Sequence, residues 1–239
     1  MTFKYRPIPV WSRNQRVIHW IIAFSVLLLI PLGAFLFSSD FIGIPEESRD
    51  SIMDVHAAVG FVFAAGLFFR IIYLFTGPPA SSWRDVLPLR KEQIKLGVAT
   101  GKYYLSGFKG KAPLYFSHNP LAGLFDAIVF LFGLTQAISG LLIFFFHEEG
   151  EVNGAVNHAH AATANGAGHG SDMALIIHAI GALVIIGFVI SHFTALAIHD
   201  ILERRGLVSS MISGNKFFDE EEVRELEFDI KAKTGRAPQ

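Results

Sequence analysis

Four histidines lie within long apolar stretches of the sequence, where an ionisable side chain is costly and indicates a functional site. They are His19, His56, His178 and His192. His178 and His192 belong to the same stretch, at positions i and i+14. In an α-helix this step is within roughly 40° of four full turns and rises about 21 Å. The two imidazoles are therefore predicted to face the same way at two depths of one helix.

The other two histidines provide one partner at each depth. If the first helix enters the membrane from the side opposite to the second, His56 is expected at the same depth as His178, and His19 at the same depth as His192. Two imidazoles from two helices can be the axial ligands of a b-type haem. We therefore predict two haems b, an outer one between His56 and His178 and an inner one between His19 and His192. Two alternatives stay open: zinc, for which neither level offers a second pair of ligands, and neutral imidazoles that only bond neighbouring helices.

The same i, i+14 spacing recurs in the two partner helices. Gly33 is at i+14 from His19, which places it level with the outer haem, where the missing side chain lets a porphyrin approach. Arg70 is at i+14 from His56, level with the inner haem. Its guanidinium suits the carboxylate geometry of a haem propionate. The alternative for Arg70 is that it extends to the membrane interface.

The remaining histidines are weaker candidates. His199 is at i+7 from His192 and on nearly the same face. His199 would lie about 31 Å along the helix from His178, which is close to the full thickness of the hydrocarbon core. It is therefore expected at the membrane surface beside Asp200. His192 is preferred as the ligand. Three histidines in a run of Ala, Gly and Asn are predicted to bind metal weakly or not at all, namely His158, His160 and His169. No role is predicted for His147.

The composition places these helices in a membrane. Charged residues are 17% of the 239 residues and hydrophobic residues 51%, whereas a soluble globular protein has ~25% charged residues. Four stretches with at most one charge reach the ~20 residues needed to cross a bilayer. They cover residues 17–39, 55–75, 121–146 and 173–199. The predicted fold is an all-α membrane protein, with a four-helix transmembrane bundle in residues 1–202 and a C-terminal tail in residues 203–239.

The distribution of charge predicts the orientation. Lys and Arg are concentrated before the first span, in residues 77–119 and in the tail, whereas the other two loops are acidic and hold only Arg49. By the positive-inside rule, both termini and the loop 77–119 are predicted to be cytoplasmic in a bacterial inner membrane. The acidic run from Asp219 to Ile230 predicts either a solvated helix or a docking segment.

Cysteine is absent from the chain. This excludes disulfides, cysteine-ligated iron–sulfur clusters, zinc–thiolate sites and covalently attached c-type haem. The formal net charge of −1 gives no reason to expect nucleic-acid binding. Histidine-ligated haem is the redox chemistry that remains.

The sequence resembles the b-type cytochrome subunits of membrane-bound Ni/Fe hydrogenases and, more distantly, the gamma subunit of respiratory formate dehydrogenase. The resemblance covers nearly the whole chain. It rests on Arg16-Val17-Ile18-His19-Trp20, His56 with Gly60 and Arg70, Ser117-His118-Asn119-Pro120-Leu121-Ala122, the pair His178 and His192, Asp200-Ile201, and Ser209-Ser210-Met211-Ile212-Ser213-Gly214. The segments 118–122 and 210–214 indicate the hydrogenase branch. The chain departs from the pattern at Ile177 and Tyr73, where some members have Trp.

This resemblance implies that the four histidines ligate two haems b, with Gly33, Gly60 and Arg70 around them. It also implies that Asn119 lies near a quinone site at the cytoplasmic end. We predict that His118, Asn119 and Asp126 form this site, because they provide a hydrogen-bond donor and two titratable groups that can deliver the protons of quinone reduction. The alternative for Asn119-Pro120 is a helix start, since Asn caps helices and Pro suits the first turn.

The function implied is that of a membrane anchor and electron carrier. Electrons from the small and large subunits of a periplasmic-facing Ni/Fe hydrogenase would pass through the outer and then the inner haem to a membrane quinone. A second possibility keeps this pathway with another partner: a formate dehydrogenase, a thiosulfate-type reductase or a periplasmic multihaem cytochrome, with quinol oxidation as a further option. A third is a haem-free anchor or small transporter whose histidines are structural or relay protons.

Overall fold

A computed structural model describes residues 5–156, 167–203 and 205–235 of the chain. His158 and His160 lie outside these residues, and the side chains of His147 and His169 are also outside what the structure describes. The long helices are α1 (Arg13–Ile42), α2 (Glu46–Thr76), α5 (Pro120–Val156) and α6 (Ala167–Glu203). Shorter ones are α3 (Trp83–Val86), α4 (Lys91–Leu105), α7 (Leu207–Ser213), α8 (Glu220–Glu225) and α9 (Glu227–Thr234). Two strands, β1 (Arg6–Pro9) and β2 (Asn215–Phe218), and a 3-10 turn at Pro79–Ser81 complete the description.

The four long helices confirm the predicted number of membrane spans. Each contains a segment long and apolar enough to cross a bilayer, at Arg13–Ser39, Glu46–Thr76, Pro120–Phe145 and Met173–Glu203. Many large apolar side chains on these helices are exposed, among them Phe24, Leu131 and Ile190, as expected of surfaces that face lipid. The helices extend past the predicted spans because their polar ends also adopt helical structure. In α2, for example, Glu46 and Glu47 occupy the first turn, where a negative charge favours the helix dipole.

Two compact units can be distinguished in the chain. The first, called here the terminal unit, comprises residues 1–19, 68–129 and 190–239, and the second, the central unit, comprises residues 20–67 and 130–189. The terminal unit therefore contains His19 and His192, and the central unit contains His56 and His178. Each predicted histidine pair belongs to a single unit.

In the terminal unit, the two ends of the chain form one small hydrophobic core. Strand β1 pairs antiparallel with β2, with Arg6 opposite Phe218 and Pro9 opposite Asn215. The core side chains come from both ends of the chain and from the loop before α5; they are Ile8, Val10, Trp11, Phe116, Phe218, Val223, Leu226 and Ile230. The acidic run in the tail is thus a docked segment, because three of its apolar residues are buried.

The structure explains why glycine occupies position 214, at the end of the Ser-Gly segment before β2. Gly214 ends α7 with φ +90°, a backbone conformation that side chains disfavour. Its carbonyl accepts hydrogen bonds from the backbone N–H groups of Val10 and Trp11. A Cβ on Gly214 would stand 2.9 Å from the carbonyl oxygen of Trp11. Glycine is needed at this position because the two ends of the chain meet there.

Candidate functional site

In the central unit, His56 on α2 and His178 on α6 face each other. Their ring centroids are 6.2 Å apart and the ring planes are inclined by 68°. Two imidazoles that bind one metal ion from opposite sides have centroids roughly 6 Å apart, because each metal–nitrogen bond is about 2 Å long and each ring centre lies about 1 Å behind its nitrogen. The separation of this pair therefore fits two axial ligands of one haem iron.

Hydrogen bonding on α5 leaves the Nε2 atom of His178 available as a ligand. The Oγ of Ser139 lies 2.9 Å from Nδ1 of His178. The same hydroxyl lies 3.3 Å from the carbonyl of Gln136, to which it can donate. With its proton directed there, it accepts from Nδ1 of His178, and Nε2 is then the unprotonated nitrogen that can bind a metal. Ser139 was not among the predicted site residues.

His56 has the opposite property: a polar atom without a partner. Within the described residues, its Nδ1 is buried and makes no hydrogen bond. Most buried polar side-chain atoms in proteins do have a partner, so an orphan of this kind calls for an explanation. A bound group that engages the His56 ring is one such explanation.

Two glycines make room for the rings of this pair. A Cβ on Gly33 would stand 3.3 Å from Cε1 of His56, and a Cβ on Gly140 would stand 3.2 Å from Cε1 of His178. Both distances are tighter than ordinary contact. Gly33 was predicted to face a porphyrin. In the structure, the atom that a Cβ on Gly33 would meet first belongs to His56. A Cβ on Gly60 would meet no side chain or neighbouring element of the described residues within 4 Å.

In the terminal unit, His19 on α1 lies within electrostatic range of His192 on α6 and of Arg70 on α2. Asp126 on α5 is in turn within range of His192 and Arg70. The predicted inner pair, the predicted propionate partner and one predicted quinone-site residue thus lie in the same part of the terminal unit. Arg70 is only 4% exposed and donates to the backbone carbonyl of Ser81 at 3.2 Å. Across the described residues, no three His, Asp or Glu side chains form a group suited to a metal ion.

The predicted quinone-site residue His118 belongs to a buried polar cluster that also contains Asp85, Ser117 and Lys233. Asp85 accepts from Nδ1 of His118 at 2.6 Å, from Oγ of Ser117 at 2.8 Å and from Nζ of Lys233. Burial would raise the pKa of the Asp85 carboxyl, but the hydrogen bond from His118 and the charges of His118 and Lys233 outweigh it and hold the pKa at about 2. A carboxylate on Nδ1 orients the imidazole and leaves its Nε2 free for proton exchange.

Asn119 fills the structural role proposed as its alternative and also contacts a second group. Its Oδ1 accepts from the N–H of Leu121 at 3.0 Å, which caps α5 as expected for Asn before Pro. Its Nδ2 donates to the hydroxyl of Tyr104 at 2.6 Å. Burial raises the pKa of Tyr104 to about 12.

His199, predicted to reach the membrane surface, is 8% exposed and bonded at both ring nitrogens. Its Nε2 lies 2.8 Å from the hydroxyl of Tyr104, and its Nδ1 lies 2.7 Å from Oε1 of Glu203. Neither Tyr104 nor Glu203 was identified from the sequence. They come from α4 and from the end of α6, and no periodicity in the sequence links them to Asn119.

Comparison with known proteins identifies a family and several relatives. The family model described as prokaryotic cytochrome b561 matches residues 10–214. A Rhodobacter capsulatus protein named "Probable Ni/Fe-hydrogenase B-type cytochrome subunit" is 28% identical over 223 residues, covering 90% of this chain and 83% of the relative. Relatives with the same name from Bradyrhizobium diazoefficiens and Azotobacter chroococcum are 26% and 27% identical, covering 87% and 91% of this chain and 85% and 92% of the relatives.

Proposed function

This chain belongs to the prokaryotic cytochrome b561 family, and from that premise we propose that it carries electrons through a membrane between two haems b. The observation that carries the proposal is the pairing of intramembrane histidines. His56 with His178 would hold the outer haem, and His19 with His192 the inner one. Bound haem iron would supply one-electron transfer, and the polypeptide would supply ligands, orientation and a water-poor surrounding.

The residues around each pair support this assignment. At the outer site, Ser139 orients His178 through Nδ1, and Gly33 and Gly140 leave space for the two rings. At the inner site, the buried guanidinium of Arg70 is near both His19 and Asp126. A buried arginine suits a propionate carboxylate.

We propose a Ni/Fe hydrogenase as the electron donor. Six relatives are named as hydrogenase B-type cytochrome subunits. The chain contains no cysteine, so the nickel, iron and iron–sulfur centres would belong to the small and large hydrogenase subunits. The donor would dock on the periplasmic side of the inner membrane, where the acidic loops are predicted. Both termini would be cytoplasmic.

The electron acceptor in this proposal is a membrane quinone bound near His118, Asn119 and Asp126. Quinone reduction needs two electrons and two protons. His118, with Nδ1 held by Asp85, can exchange a proton through Nε2, and Asp126 lies within electrostatic range of both His118 and His192. These residues would therefore join proton supply to the inner haem site.

The test is a haem count followed by acceptor assays on the purified chain in proteoliposomes. We expect a reduced-minus-oxidised spectrum of b-type haem with two haems per chain. Haem reduced with a stoichiometric amount of dithionite should be reoxidised by menadione or decylubiquinone. A chain without haem would refute the proposal, and haem that neither quinone reoxidises would refute the quinone acceptor. Capture of hydrogenase subunits on the tagged chain from native membranes would test the donor, and their absence would count against it.

A further inference from the structure

A part-buried chain of hydrogen bonds runs from the predicted quinone residue Asn119 to the end of α6. The Nδ2 of Asn119 donates to the hydroxyl of Tyr104 at 2.6 Å. That hydroxyl lies 2.8 Å from Nε2 of His199, and Nδ1 of His199 lies 2.7 Å from Oε1 of Glu203. All four residues belong to the terminal unit, and the contacts are short enough for proton transfer along the chain.

After Asn119, each group in the chain can both gain and lose a proton. Phenol, imidazole and carboxyl follow one another without a gap, and the imidazole uses a different nitrogen toward each neighbour. The side chains of His199 and Glu203 are 10% and 3% exposed, which limits leakage to bulk water. The aromatic rings of Tyr104 and Phe108 pack against the His199 ring at centroid distances of 5.4 Å and 6.3 Å.

The far end of the chain is a carboxylate held by two donors. The Oε2 of Glu203 accepts from Arg205 at 2.9 Å and from the hydroxyl of Tyr115 at 3.4 Å. Arg205 also donates to Glu222 at 2.9 Å, and the Glu222 side chain is 19% exposed. Arg205 stays protonated and only donates, so it holds Glu203 as a carboxylate beside the imidazole and is not itself part of the proton route.

We propose that Glu203, His199 and Tyr104 form a proton relay that supplies the quinone site beside Asn119. This inference rests on the proposed function, since it concerns the protons consumed at that site. Asn119 is the positioning residue: its amide holds the Tyr104 oxygen while its own Oδ1 caps α5. Tyr104 is the group that gives up the proton.

One proton moves in two matched exchanges, starting from a His199 ring that is protonated on both nitrogens and a Glu203 carboxylate that accepts from its Nδ1. The Oη–H bond of Tyr104 breaks as an O–H bond forms on the quinone, and the Nε2 proton of His199 moves to the Tyr104 oxygen. His199 is then neutral, with its Nδ1 proton still held by Glu203. Uptake of one proton at Nε2 of His199 prepares the second transfer. The two electrons of each quinol would come from the inner haem of the proposed function, one at a time.

The experiment compares two acceptors of electrons from the reduced haem in proteoliposomes. Menadione takes up protons with its electrons, whereas ferricyanide takes up electrons alone. Stopped-flow reoxidation of the haem is measured for wild type, Tyr104→Phe, His199→Gln and Glu203→Gln. The matched control is Tyr103→Phe, which removes a neighbouring hydroxyl outside the chain of hydrogen bonds.

We expect the three relay variants to slow reoxidation by menadione roughly tenfold to a hundredfold, within the range of general acid catalysis, while ferricyanide reoxidises them at the wild-type rate. Haem content and spectrum should stay unchanged, and Tyr103→Phe should match wild type with both acceptors. Equal menadione rates in all variants would overturn the relay, and so would equal slowing with both acceptors, which marks a structural defect. If menadione fails to reoxidise even the wild type, the proposed quinone function itself is wrong.

Discussion

In the central unit, the two facing histidines differ in how their Nδ1 atoms are bonded. Nδ1 of His178 is hydrogen-bonded to the hydroxyl of Ser139. Nδ1 of His56 is buried with no partner among the described residues. A histidine whose only role is to link helices would be expected to use its buried ring nitrogen for that bond. His178 makes such a bond, whereas His56 makes none among the described residues, so the orphaned nitrogen of His56 favours the proposed ligand role.

The hydroxyl of Ser139 should therefore affect one haem. We predict that Ser139→Ala lowers haem affinity at the outer site by about 10–100-fold, as for other groups that orient a ligand. The midpoint potential of that haem should rise, because a less basic imidazole stabilises ferric iron less. Redox titration of the purified chain and a haem count provide the measurements. Ser139→Thr should retain wild-type behaviour.

The control for this variant is Thr135→Ala, one helical turn earlier on the same helix. The Thr135 hydroxyl bonds only to the backbone carbonyl of Leu131 among the described contacts and is exposed. Its removal should change neither haem. A Ser139→Ala protein with unaltered potentials and occupancy would show that the His178 tautomer does not depend on this hydroxyl.

Asp85 makes the stability of the terminal unit depend on pH. Its folded pKa of about 2 lies below the ordinary value of 3.8, so the stabilisation is complete above pH ~4 and is lost as the pH falls toward 2. This pKa shift corresponds to a contribution of about 2 kcal/mol to the free energy of unfolding. We predict that Asp85→Asn flattens this part of the stability curve. Guanidinium unfolding, followed by tryptophan fluorescence at pH 5 and pH 2.5, measures the change in unfolding free energy. An equal loss of stability between these pH values in wild type and variant would show that Asp85 is not the group responsible.

At the scale of elements, the tail helices α8 and α9 hold the loop before α5 in place. Lys233 on α9 contacts both Asp85 and Ser117. Lys216 on β2 is buried and donates to the carbonyls of Phe116 and Ser117. Burial lowers the pKa of Lys216 to about 7. The segment that carries His118 and Asn119 is therefore stabilised by contacts with residues that are distant in the sequence.

This attachment depends on one apolar face of α9. Ile230 is 2% exposed in the core, whereas Phe228 on the same helix is 83% exposed. We predict that Ile230→Ala destabilises the terminal unit by about 2–5 kcal/mol, while Phe228→Ala changes stability by less than about 0.5 kcal/mol. Hydrogen exchange of the amides in α8 and α9 reports the difference. Equal protection in both variants would mean that the tail does not depend on this face.

At the scale of the whole molecule, the two histidine pairs fall into different compact units. Each unit draws segments from all four long helices. The proposed function assigns one haem to each unit. This assignment also allows the two sites to be removed separately.

We predict that His56→Ala removes chiefly the outer haem and His19→Ala chiefly the inner one. Each variant should retain about one haem per chain, because the ligands of the other site come from another unit. Pyridine haemochrome assays count the haem, and redox titration identifies which component is lost. If both haems persisted in both variants, the pairing of ligands would be wrong.

The sequence alone determined the four apolar helices, because length, the scarcity of charge and the insolubility of polar groups in lipid leave little choice. It also indicated His178 and His192 as two sites on one face, since their i, i+14 spacing is a property of a single helix. The capping role of Asn119 was equally readable, since a cap involves neighbouring residues.

Contacts between distant segments were decided only by the tertiary structure. Ser139 meets His178, Asp85 meets His118, and Tyr104 meets His199 across sequence separations of 39, 33 and 95 residues. No local periodicity encodes such contacts, because they depend on how helices and loops from remote parts of the chain pack. The same holds for the docked tail: its acidic composition was compatible with a solvated helix, and burial of Val223, Leu226 and Ile230 against the N-terminal strand decided otherwise.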